Sequence, residues 1–393
     1  MRLAIFLAAL AGAIPGATIP SGTPIQIRLT TAVQTASAKA DQPVEALIIS
    51  PIVLNGSIAI AAGAKVSGHV QDVQPGNQTT KASVLLAFSQ LTDGASTAAI
   101  QAKVTGVDNA RETVDSDGRI TGILASDTGV GRLDQGINKV SQKYGGLGDL
   151  LNTVKQTVLK DADTSIDYQA GVEMTITLTS DLAWTGVAKQ PNVASIEPQQ
   201  ELDRLVNSQP YRTATEGQAK PSDVTNLMFV GSREQIQTAF QQAGWSLAEK
   251  LSSSSKLETF RALAEDRGYK EGPMSILMLD GAAPDMTFEK VNNTYAARHH
   301  LRIWHRPGSF HGQDVWVCAS THDTGIDFSE QNRTFIHKID SNIDNERSKV
   351  VNDLLLTGLV HGLALVSRDI PTGLFNATGD KIETDGAMAV VQF

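Results

Sequence analysis

Groups able to do chemistry concentrate in residues 298–353. The stretch opens with Arg298-His299-His300-Leu301-Arg302-Ile303-Trp304. It runs through Asp314-Val315-Trp316-Val317-Cys318-Ala319-Ser320-Thr321-His322-Asp323 and closes on His337, Asp340, Asp344, Glu346 and Arg347. Of the eight histidines, six fall inside it (299, 300, 305, 311, 322 and 337), as does the single cysteine. On a strand, residues two apart share a face. Arg298, His300, Arg302 and Trp304 therefore line one side of the first segment, and His299, Leu301, Ile303 and His305 the other. The first row is a cationic strip suited to a phosphate or carboxylate, because guanidinium offers forked donors and imidazole adds another. Asp314, Asp323, Asp340, Asp344 and Glu346 are the carboxylates able to pair with that row if it is a structural network instead.

Divalent-metal ligation is the sharper alternative. His300, Asp323, His337 and Asp340 offer imidazole and oxygen donors of the kinds used by zinc or manganese hydrolases, although no two have a diagnostic close spacing. A Ser320-His322-Asp323 nucleophile arrangement lacks the Gly-x-Ser-x-Gly elbow. Asp344 and Arg347 are spaced for an ion pair at a helix start, where the acid also suits the helix dipole. Trp304 and Trp316 read as core, and Cys318, within a strand-like run, as a buried thiol.

These groups need a scaffold, and 393 residues provide for two or three domains. The pattern predicts a multidomain chain, an N-terminal all-β barrel-like domain followed by an α+β domain. Over 19–187, Thr, Val, Ile and Gly with alternating apolar positions predict short strands. Three segments echo one another: Ile19 to Leu29, Ile60 to Val70 and Tyr168 to Leu178 each carry Gly in the fourth place and apolar residues in the seventh and eleventh. Each reads as a glycine turn feeding a strand of a barrel. A Gly-rich and helical insertion near 109–165 interrupts it, with a short helix expected over 147–159. Residues 188–225, with Pro191, Pro198, Pro210 and Pro221, are expected as a linker holding a short helix near 199–206. The second domain, 226–393, opens with an apolar strand at 227–230, a helix capped by Ser232, a second amphipathic helix around Leu257 to Ala264, and strands near 275–279 and 286–290. Residues 350–366 are interrupted by Asn352, Asp353 and His361 and read as a buried or amphipathic helix rather than a membrane span.

The formal net charge is −9 and the basic residues are scattered, which argues against a nucleic-acid-binding face. Met1-Arg2 followed by an apolar run and small residues at Ala11-Gly12-Ala13 and Gly16-Ala17 has the order of a signal peptide over 1–17, with cleavage near Ala13 or Ala17, so export to the periplasm or cell envelope is expected, with no membrane span after its removal.

Two resemblances add to this. Asn226 with Phe229-Val230-Gly231-Ser232, the run 298–304, Val315-Trp316-Val317 with Thr321, Asp323, Gly325 and Ile326, His337 with Ile339 and Asp340, and Asp344 with Glu346, Arg347, Asp353 and Leu354 occur in the order of the LssY-like C-terminal domain, which the chain resembles over about 224–358. Within that family the domain often follows a phosphatidic-acid-phosphatase-like membrane domain. Residues 19–75, with an Ile-Pro-x-Gly-Thr start and a second Ile-x-x-Gly-x-x-Val unit, resemble the small barrel of the TrbI-like conjugal-transfer family, which implies an envelope structural role and an envelope protein partner. Three functions follow as expectations. The first is an envelope binding protein that takes an anionic, phosphorylated ligand through Arg298, His300, Arg302, Asp323, His337, Asp340, Asp344 and Arg347. The others are a metal-dependent phosphoester hydrolase and a purely structural envelope protein.

Overall fold

The structure, a computed structural model, describes residues 16–54, 57–124, 126, 164–186, 193–247, 276–290, 298–329 and 334–393. The first part is the closed barrel expected from its alternating strands. Six strands make the ring: β1 (Pro24–Leu29), β2 (Pro43–Ile48), β3 (Lys65–Gln74), β4 (Ser83–Asp93), β5 (Ser96–Val107) and β6 (Glu173–Leu178). They pair in the order β4-β3-β2-β1-β6-β5, and β5 returns to β4, so this ring has no open edge to aggregate. Side chains alternate across the wall: Ile25, Ile27 and Leu29, then Val44, Ala46 and Ile48, then Met174, Ile176 and Leu178 are buried in one apolar cluster. The three echoed segments do feed barrel strands. Their glycines, Gly22, Gly63 and Gly171, have φ of 85°, 95° and 106°, values that favour a residue without Cβ. The copies are not evenly spaced around the ring, since β1 adjoins β6 while β2 separates it from β3.

Arg28 and Glu173 sit opposite each other on β1 and β6, and both are buried although their apolar neighbours along each strand face the core. What covers them is the second part of the chain. This is built on a nine-stranded mixed sheet: β7 (Ala194–Ser195), β8 (Leu227–Val230), β9 (Trp245–Leu247), β10 (Met286–Lys290), β11 (Arg298–Phe310), β12 (Gln313–Ser329), β13 (Thr334–Ile339), β14 (Gly362–Val366) and β15 (Met388–Gln392). The order is β7-β14-β15-β8-β12-β11-β10-β9, with β13 also on β12. The chain-end strand β15 enters parallel to β8, in the middle of the sheet. Among the described residues, three helices accompany it: α1 (Gln199–Asn207), α2 (Arg233–Gln242) and α3 (Ile343–Leu355). The Ser232 hydroxyl accepts from Gln235 N, and the Gln235 side chain returns the bond to the Ser232 N–H, a capping box that starts α2 directly after β8.

Two expectations change. The stretch read as a linker, 188–225, holds the expected short helix as α1 but also contributes the antiparallel pair Arg212–Thr215 and Pro221–Val224, and Ile196, Leu202 and Val206 join the apolar cluster under β8 and β12. Pro198 and Pro221 mark element starts rather than a spacer. The helix read over 350–366 is instead the end of α3 followed by β14; Gly358, with φ 72°, breaks the helix between them. Residues 1–15 of the signal segment, the 147–159 helix and the helix around 257–264 lie outside the described residues.

Candidate functional site

Strands β11 and β12 run antiparallel with Arg298 opposite Asp323, His299 opposite His322, His300 opposite Thr321 and Arg302 opposite Ala319. That register carries the alternation of the sequence into two distinct polar faces.

On the first face, Arg298, His300, Arg302 and Asp323 are all buried. Arg302 Nη1 donates to Asp223 Oδ2 at 3.3 Å, from the strand Pro221–Val224 laid across the row. His300 Nε2 lies 2.9 Å from Thr321 Oγ1, and His300 Nδ1 lies 3.8 Å from Asp323 Oδ2. Burial pushes the Asp323 carboxyl up to about 7 even though Arg298 and Arg302 pull it down, and burial likewise raises Asp223 against the pull of Arg302. Four of the expected residues are thus brought together, joined by Asp223, which the sequence did not single out.

Asp340, Asp344 and Arg347 are placed elsewhere. His337 is on β13 opposite Ile326, and its side chain lies outside the described residues. Asp340 accepts from Asn342 N at 3.0 Å and Asn345 Nδ2 at 3.2 Å, shaping the turn into α3, while its own N–H donates to His322 O. Asp344 and Arg347 make the i,i+3 ion pair their spacing suggests, at 3.1 Å. Arg347 also holds Asp385 with both terminal nitrogens, at 2.7 and 2.8 Å, and donates to Ala387 O. These contacts pin α3 to the segment before β15. Asn226, buried at the mouth of β8, accepts from Ser320 N and Ser320 Oγ and donates to Ser320 O and Ile343 O. Ser320 is thereby a strand-fastening residue. Cys318 is fully buried and burial pushes its thiol well above the ordinary range, so it is no nucleophile at neutral pH.

The second face was missed as a site. The His299 and His322 rings stack with centroids 4.0 Å apart and planes 16° apart. His299 Nδ1 is 2.8 Å from Glu346 Oε2, on the face that α3 packs against the sheet, and His299 Nε2 is 3.0 Å from Asp108 Oδ2, just beyond barrel strand β5. His322 Nε2 lies 2.9 Å from Asn109 Oδ1. Burial works against charge on His299, yet the carboxylates on either side raise it to about 9, whereas burial and the neighbouring imidazolium lower His322 to about 4. The stack therefore holds one proton charge at neutral pH. Alternation along β11 did place His299 opposite the basic row, but its pairing with His322 depends on strand register, and the contribution of Asp108, 191 residues away, leaves no local signal in the sequence.

Beside His299, a cavity of about 370 Å³ opens between the two parts of the chain, lined by Gln26, Asp108, Glu173 and Thr175 of the barrel and by His299, Lys349, Asn352 and Asp353. Its floor is an ion network. Arg28 Nη2 reaches Glu173 at 2.7 Å and Asp353 at 2.5 Å; Lys290 Nζ reaches Glu173 at 3.0 Å and Asp353 at 2.9 Å; Lys349 bonds Glu173; and Trp245 Nε1 donates to Asp353 Oδ2 at 2.9 Å. Burial would raise both acids, but Lys349, Lys290 and Arg28 hold Glu173 well below the carboxylate range and Asp353 below it as well.

Residues 205–388 match the family model described as LssY C-terminus. No curated protein matches the chain. Among solved structures, ComB10 of the Com type IV secretion system of Helicobacter pylori is similar at 16% identity with a TM-score of 0.22, over 44% of this chain and 96% of that one. The described fold has a closed β-barrel in its N-terminal part, and the part that follows is similar over residues 205–388 to the LssY C-terminus family.

Proposed function

We propose that the protein is exported to the cell envelope, where its LssY C-terminus domain binds an anionic, phosphorylated ligand and its barrel serves as scaffold and docking module for an envelope partner. The observation that carries this reading is the row Arg298, His300, Arg302 on one face of β11. Two guanidiniums that cannot lose their protons stand with an imidazole between them, spaced along a rigid strand in the middle of a sheet. A phosphoryl group satisfies forked donors of this kind and brings the negative charge that buried arginines require. Asp223 and Asp323 occupy part of that role in the free protein and would be displaced or protonated as the ligand enters.

Isothermal titration of the full chain with inorganic phosphate and with a phosphomonoester tests it. Saturable binding is expected, weakened at least about tenfold in Arg302→Gln, since a lost charge-assisted hydrogen bond is worth about 1.5–3 kcal/mol. Absence of binding in the parent, together with a large loss of stability in Arg302→Gln, would make the row a structural network. Turnover of the phosphomonoester would instead support the metal-dependent hydrolase.

A further inference from the structure

We infer that His299, His322 and Glu346, on the face of the sheet opposite the basic row, form a binding site for one divalent cation of the zinc type, with the imidazoles oriented by Asp108 and Asn109 of the barrel. One donor atom from each of the three residues lies within 4.8 Å of the others, the separation from which small side-chain movements close on an ion. Two imidazoles and one carboxylate are the donor set of zinc and its neighbours, whereas calcium and magnesium favour all-oxygen sets.

The hydrogen bonds around the rings set the donors. Asn109 Oδ1 can only accept, so His322 carries its hydrogen on Nε2, which donates across 2.9 Å and leaves the Nδ1 lone pair on the other edge of the ring. Asp108 accepts from His299 Nε2 in the same way, and His299 Nδ1 then faces Glu346 Oε2 at 2.8 Å. This is the carboxylate–histidine–metal arrangement, with the outer acid and amide supplied by adjacent residues of a different part of the fold. A cation takes the place of the proton between His299 Nδ1 and Glu346, and tilting the stacked rings brings in His322.

A second, independent observation points the same way. Glu346 is 3% exposed, and its Oε1 has no hydrogen-bond partner among the described residues. A buried carboxylate oxygen left without a donor is costly, and a coordinated cation removes that cost. Three protein ligands leave a fourth position for water, and the cavity that His299 lines provides access to solvent.

The full-length protein, stripped with chelator and dialysed, would be titrated with zinc chloride and its metal content measured after gel filtration. One equivalent should bind with submicromolar affinity and raise Tm, and Co²⁺ in its place should show the intense visible bands of a four-coordinate site. Glu346→Gln should abolish stoichiometric binding, and Asn109→Ala should weaken it about 10–100-fold. Should Glu346→Gln fail to fold, His322→Phe, which keeps a flat ring in the stack, carries the same expectation. No stoichiometric zinc in the parent, or one zinc retained unchanged in His322→Phe, would overturn the assignment.

Discussion

Arg28, on barrel strand β1, donates to Asp353 of helix α3 across 2.5 Å, while the same guanidinium holds Glu173 on the adjacent barrel strand. Three cations and two acids, all buried except the partly exposed Lys349, thus join the two parts of the chain here. Removing one partner leaves uncompensated charge in a low dielectric. Arg28→Met should therefore lower unfolding stability by about 3–5 kcal/mol. Urea denaturation of the full chain measures this, and a change under 1 kcal/mol would mean that the network relaxes into solvent.

Acid should loosen the same seam. Glu173 and Asp353 face Arg28, Lys290 and Lys349, and both acids have folded-state values below the ordinary ones. For a depressed carboxylate, the folded state binds fewer protons than the unfolded one. The stability these acids contribute is complete above the unfolded range near pH 4 and is lost as pH falls through the lower folded values. Tm should drop steeply below about pH 4 in the parent and less steeply in Glu173→Gln. Equal slopes for the two proteins would count against this assignment.

Asn226 ties β8 to β12 and to the start of α3 through one amide. Replacing it by Leu leaves Ser320 and the Ile343 carbonyl without their partner in a dry interior, at about 1–3 kcal/mol for each group left unsatisfied. Differential scanning calorimetry should show a large fall in Tm for Asn226→Leu. A Tm within a degree of the parent for Asn226→Leu would show that the amide is dispensable.

Export predicts a shortened N-terminus. Ala17 to Ile19 pair with Leu182 to Trp184 as a strand against the barrel, so cleavage near Ala13 keeps that strand whole, whereas cleavage after Ala17 would remove its first residue. Intact-mass analysis of protein recovered from the envelope fraction should give a start close to residue 14. Full-length protein beginning at Met1 in the cytosol would contradict export.

Local rules were legible where a local force decides. The barrel showed in the alternation of Ile25, Ile27 and Leu29 and in glycines whose turns need positive φ; the start of α2 showed in Ser232 as its cap; and the faces of β11 showed in the two-residue period. Residue chemistry also grouped Arg298, His300, Arg302 and Asp323 with His337, Asp340, Asp344 and Arg347, and the structure brings the first four together. The sequence could not show which partners complete each face, because these come from strand register and from the approach of distant segments. His299 meets His322 through the antiparallel pairing of β11 with β12, and Asp108, Arg28 and Glu173 meet the second domain because the folded barrel carries them there. Charges that look like solvated surface along β1 and β6 become a buried seam for the same reason. Burial and electrostatic partners are properties of the assembled tertiary structure, and no period along the chain encodes them.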